Sequence, residues 1–153
     1  MLTHIDKKGN AKIVDISKKT PTNRLAVANG SIKISDKVLE QIKLNNNKKG
    51  DILTVAKIAG IMAAKSTYQI IPLCHPLSIN DISIEFKIDH KRKIIESTCT
   101  VKCYEKTGVE MEALTAVSIS LLTIYDMCKA IDKQMEINHI KLIKKLGGKK
   151  INI

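Results

Sequence analysis

The chain has 153 residues, a length that suits one compact domain spanning residues 1–153. Its residues are 44% hydrophobic but only 3% aromatic, with no Trp, so the core must be built from Ile, Leu, Val, Ala and Met, and a nucleobase-stacking surface is not expected. The net charge is +11 and every basic residue except Arg24 and Arg92 is Lys; nucleic-acid readers lean on Arg, and a scattered Lys-rich composition is what an AT-rich genome produces by codon bias, although its positive field still attracts phosphates.

In chain order, the opening MLTHIDKKGNAKIVDI is charged and lacks an apolar signal core. A short strand is expected over about Ala11–Ile16, then a polar loop at Lys18–Asn23 around Pro21. Leu25–Ile34 reads as extended, with Asn29-Gly30 as a turn or bulge signal. Asp36 can cap a short helix to about Leu44, and Asn45–Gly50 reads as a loop. Asp51 can cap a helix to about Ile70, whose small residues Ala56, Ala59, Gly60, Ala63 and Ala64 invite close packing. Pro72 and Pro76 bracket an irregular segment.

Ile82, Ile84, Phe86 and Ile88 alternate with polar residues, as on a strand with one wet face. Asp89–Lys93 reads as a hairpin turn, and Ile95, Ser97, Cys99, Val101 and Cys103 alternate on a second strand. Gly108 precedes the longest helix, about Glu110 to Asp132, and a strand over Glu136–Ile143 leads into a basic, glycine-containing tail. This order predicts an α+β fold, a ferredoxin-like antiparallel sheet with helices packed on one face. The most apolar stretch, Ala113–Tyr125, is too short to span a bilayer. Cys74, Cys99, Cys103 and Cys128 form no zinc-type spacing and require no disulfides. Cys99 and Cys103 read as small buried apolar residues. A soluble, cytoplasmic protein is expected.

Several polar groups admit two readings. Asp126 and Lys129 share one face of a helix that is apolar on nearly every side. They are either a helix-end ion pair or a carboxylate and an amine whose proton affinities burial can shift. Glu110 and Glu112 complement a helix dipole, or face one pocket if the helix has not yet started there. Glu112 and Asp126 are fourteen residues apart, roughly 21 Å along a helix. One copy of the helix is too long for a single small-molecule site to use both ends, and an antiparallel second copy would bring the ends together. His75, between two prolines, is structural or a positioned donor; Cys74 beside it is a poor candidate nucleophile. Lys49 precedes a helix N-terminus where an anion can dock, and Lys145 belongs to a basic tail or to an arm that closes on phosphate.

The segments DILTVAKIAGIMAAKSTYQIIPLCHP (51–76) and TGVEMEALTAVSISLLTIYDMCKA (107–130) closely resemble the cyclic pyranopterin monophosphate synthase family. The opening LTHID, the VDIS segment and the late GGK fit as well, so the likeness covers essentially the whole chain. The resemblance implies a lyase of molybdenum cofactor (molybdopterin) biosynthesis. Its substrate would be a cyclised GTP triphosphate, 3′,8-cyclo-7,8-dihydro-GTP, rearranged to cyclic pyranopterin monophosphate with release of diphosphate. It implies no cofactor, with Mg²⁺ possible alongside the triphosphate and no metal-binding residues. It carries substrate contacts over to Leu73, Cys74 and His75, ring contacts to Glu110, Met111 and Glu112, and phosphate contacts to Lys49, Arg24 and Lys145. Asp126 and Lys129 would be catalytic, with Lys129 tuned toward neutrality. The implied partner is a second copy of the chain, in a homohexamer built as a trimer of dimers with sites at the dimer interface. Leu25 and Leu146 depart from the family pattern, where an acidic residue and a Ser are common. Two competing readings are a non-catalytic basic nucleotide- or nucleic-acid-binding module, which predicts salt-sensitive binding, and a purely structural oligomer.

Overall fold

The structure is a computed structural model and describes residues 3–44 and 51–148. Its elements are β1 (Thr22–Lys33), α1 (Asp36–Leu44), α2 (Ile52–Lys65), α3 (Thr67–Ile70), β2 (Ile79–Asp89), β3 (Ile94–Glu105), α4 (Glu110–Cys128) and β4 (Glu136–Leu146). The strands form one antiparallel sheet in the order β2-β3-β1-β4. Strand–helix–strand, strand–helix–strand connectivity with this order is the ferredoxin-like α+β arrangement that the alternation predicts.

Alternation decides which face is dry. In register across the sheet, Ala26 faces Val101, Ala28 faces Cys99 and Ile32 faces Ile95, and all six are buried. The helices pack over this face: α4 lies on β1, β3 and β4, and α2 lies on β2 and against α4. On the other face Asn29 Nδ2 donates to Thr98 Oγ1 at 2.8 Å.

Two glycines let α4 sit close. A Cβ on Gly30 of β1 would meet Leu121 and Val117 at 2.9 Å, and one on Gly60 of α2 would meet the Ala116 carbonyl oxygen at 2.9 Å. Inside this wall, Ser97 and Ser120, both fully buried, share a 2.8 Å hydrogen bond that joins β3 to α4. A buried hydroxyl needs such a partner.

The structure moves several expected boundaries. Ala11–Ile16 forms no strand; Ala11 makes a single bridge to Ile5, because the segment is spent on contacts described below. β1 begins at Thr22, inside the expected loop, since its first residues pair with Glu105 and Tyr104. The expected bulge near Asn29-Gly30 is present as register shifts against β4. Ser35, not Asp36, caps α1, its hydroxyl oxygen accepting from Val38 N. Asp51 caps α2 as expected, accepting from Leu53 N at 3.2 Å. That helix breaks at Ser66, where the Thr67 hydroxyl donates to the Ala63 and Ala64 carbonyls. α4 stops at Cys128, whose carbonyl accepts from Ile131 N and Asp132 N in a closing turn. β4 continues to Leu146, through residues expected to be tail. The expected loop at 45–50 lies outside the described residues.

Candidate active site

α4 is nineteen residues long and apolar enough to cross a bilayer by length and composition, the one such helix among the described residues. Over half of it is buried against the sheet and α2, as in the core helix of a globular fold. Its two ends carry different chemistry.

At the N-terminal end, a cavity of about 390 Å³ opens beside the first turn. The loop after α3 contributes Leu73, Cys74 and His75, and α4 contributes Glu110, Met111 and Glu112. Although the helix has already begun at Glu110, both glutamates reach this cavity, because Glu110 occupies its first position and folds back over Gly108. Glu112 is 4% exposed. Burial, with the nearby charge of Glu110 adding to it, pushes its carboxyl up to about 7. Burial, reinforced by Glu112, also raises the Cys74 thiol, which argues against a thiolate nucleophile at neutral pH.

The far wall of the cavity was not anticipated. Thr3, His4, Val14, Ile16 and Lys19 line it, so the N-terminal segment crosses the mouth. His75 Nε2 lies 2.8 Å from the Val14 carbonyl oxygen, to which it donates. Lys106 Nζ donates to the Ser17 carbonyl at 3.1 Å. The segment carries no periodic signal because it is held by side chains from elsewhere, and only the LTHID and VDIS likeness could have flagged it.

At the C-terminal end, Lys129 Nζ lies 2.5 Å from Asp126 Oδ1, on an open groove also lined by Ile119, Leu122 and Tyr125. Of the two readings of this pair, the single chain shows the helix-end ion pair, with the side chains 53% and 58% exposed. In the single chain the shift of Lys129 runs opposite to the expected tuning toward neutrality. The hydrogen bond and charge of Asp126 raise the Lys129 amine above its ordinary value, since no desolvation of consequence opposes them.

The phosphate candidates are dispersed. Arg24 donates through Nε to the Glu105 carbonyl at 3.2 Å and through Nη2 to the Lys106 carbonyl at 3.3 Å, while a Cβ on Gly147 would press on its Cδ at 2.9 Å. Its guanidinium is thus bonded to the end of β3 and lies beside the turn after β4. Lys145 is ion-paired with Glu110. Lys49 lies outside the described residues. Among those residues, no group of three or more His, Cys, Asp or Glu is arranged to hold a metal ion. Cys99 and Cys103 are buried, their thiols pushed up to about 12 and about 11 mainly by that burial.

Residues 13–148 match the MoaC family. The chain belongs to that family. It is 57% identical to a cyclic pyranopterin monophosphate synthase of Clostridium perfringens (strain SM101 / Type A), over 97% of this chain and 94% of that protein. It is 53% identical to the protein of the same name from Thermoanaerobacter pseudethanolicus over 97% and 94%, and 51% identical to that of Heliobacterium modesticaldum over 97% and 93%. The match to the family takes in both ends of α4, the cavity loop and β4.

Proposed function

We propose that the chain, acting as a single domain, is a cyclic pyranopterin monophosphate synthase. It converts 3′,8-cyclo-7,8-dihydro-GTP to cyclic pyranopterin monophosphate and diphosphate in the cytoplasm, as a step of molybdenum cofactor biosynthesis. The observation that carries the reading is the convergence of Leu73, Cys74, His75, Glu110, Met111 and Glu112 on one cavity large enough for a nucleotide ring. The reaction needs acceptors and donors for the ring, proton transfers during ring opening and reclosure, and positive charge where diphosphate leaves. The first are supplied by Glu110 and Glu112. Lys145, Arg24 and Lys49 are the cations for the phosphates, and Mg²⁺ bound to the triphosphate itself would add to them.

Asp126 and Lys129 supply the proton chemistry from the other end of α4. In the single chain Asp126 favours the protonated Lys129 amine, and Lys129 is taken as a proton donor, with Asp126 positioning it. The pair is roughly 21 Å along the helix from Glu112, so it serves the cavity of a second copy of the chain. Exposed Val55, Ile58 and Met62 on α2 and Leu122 on α4 support burial of this surface by another subunit. The assembly is a homohexamer, a trimer of dimers with each site at a dimer interface.

Incubation with the cyclised GTP intermediate should yield cyclic pyranopterin and stoichiometric diphosphate; no product from the assembled protein would defeat the reading. Mixing Asp126→Ala chains with Glu112→Ala chains should restore activity, because one of the two sites in the mixed dimer retains both groups. No recovery in verified mixed oligomers would remove the shared site.

A further inference from the structure

Two groups that would read different parts of the substrate are already bonded to each other. Glu110 Oε1 pairs with Lys145 Nζ, and the side chains are only 23% and 25% exposed. Glu110 opens α4 and lines the cavity. Lys145 stands near the end of β4, opposite Ala26 of β1. The pair depends on Gly108: a Cβ there would fall on both carboxylate oxygens of Glu110. The missing side chain is the slot through which the carboxylate folds back toward β4. In this state Lys145 occupies the carboxylate that would accept ring N–H groups, and Glu110 occupies the ammonium that would meet phosphate.

Resting on the reading above, we propose that Glu110 and Lys145 form a specificity lock that opens to ligands carrying both a polyphosphate and a ring edge rich in N–H donors. The multiple charge of a polyphosphate attracts Lys145 more strongly than one carboxylate does. The freed Glu110 then accepts from the ring. A ligand with the ring alone must break the ion pair and leave a partly buried cation uncompensated. A ligand with polyphosphate alone leaves Glu110 without its partner. The lock couples the two halves of the site and discriminates against nucleosides and free polyphosphates.

Calorimetric titration of the full chain with guanosine, with and without saturating inorganic tripolyphosphate, tests this. Tripolyphosphate should tighten guanosine binding about three- to fivefold, the scale of a partly exposed ion pair. Lys145→Met removes the partner. Gly108→Ala pushes the carboxylate off Lys145, and the atoms it meets are the tip of a flexible side chain rather than backbone. Both variants should bind guanosine about three- to fivefold more tightly without tripolyphosphate, and the coupling should vanish. Equal guanosine affinity with and without tripolyphosphate in the native chain, or no gain in either variant, overturns the lock. If the native chain still forms cyclic pyranopterin, the lyase reading survives that failure; if it does not, the reading beneath the lock has failed.

Discussion

The two ends of α4 hold carboxylates in opposite settings. At the N-terminal end Glu112 is buried beneath a loop and a crossing segment, and its carboxyl is raised to about 7. At the C-terminal end Asp126 stands in the open, 2.5 Å from an ammonium whose proton it helps to retain. The same helix supplies a carboxyl poised near neutrality where desolvation rules, and a fixed ion pair where solvent does. The N-terminal end has the cavity without the Asp126–Lys129 pair, and the C-terminal end has the pair on an open groove. On the proposed function, this contrast makes the helix a spacer between two half-sites that assembly would join.

The sharpest way to break this comparison is at the exposed end. Lys129→Ala should lower turnover by about 10³-fold, the usual worth of a positioned acid–base group. It should leave substrate affinity nearly unchanged, because the proposed ring and phosphate contacts sit elsewhere. Single-turnover assays beside equilibrium binding would separate the two. Near-normal turnover would take Lys129 out of the chemistry.

At the enclosed end, Glu112→Gln tests burial directly. A carboxyl raised from 4.5 to about 7 is protonated in the folded chain where the unfolded chain has already lost its proton. The folded state therefore binds more protons between those values, and its stability falls as pH rises through that window. The cost reaches on the order of 3 kcal/mol above pH 7. The Gln variant should match the native chain near pH 4 and exceed it at pH 8, as read by denaturant unfolding at both values. A stability difference that does not change with pH would show that Glu112 is not held protonated by its surroundings.

The sequence made much of this visible for a physical reason. Period-two alternation along Ile82–Ile88 and Ile95–Cys103 marks one dry face, and the observed strands follow it. The apolar run of α4 and its polar ends also declare themselves, since burial and spacing are written in residue type. The N-terminal wall of the cavity is not, because His75 and Lys106 hold it through backbone carbonyls at Val14 and Ser17. A carbonyl belongs to every residue and leaves no signature. The choice between the two readings of Asp126 and Lys129 is not legible in the sequence for a related reason. An apolar helix implies burial, but not whether the chain itself or a second subunit provides it.

The smallest expected effect lies at the middle of the spacer. Gly60 of α2 faces α4, where a Cβ would come within 2.9 Å of the Ala116 carbonyl oxygen and 3.2 Å of Ser120 Cβ. The Ala116 contact is with backbone and cannot swing aside, so Gly60→Ala has to shift one helix against the other. Overpacking of this kind costs about 1–3 kcal/mol, partly offset by the better helix propensity of Ala. A net loss of about 1–2 kcal/mol should appear as a lower Tm. The shift also moves α4 relative to the loop carrying His75, so substrate affinity should fall more than the rate of the bound complex. Unchanged stability would mean that α2 and α4 have slack between them, and that the spacing of the half-sites is set by the sheet alone.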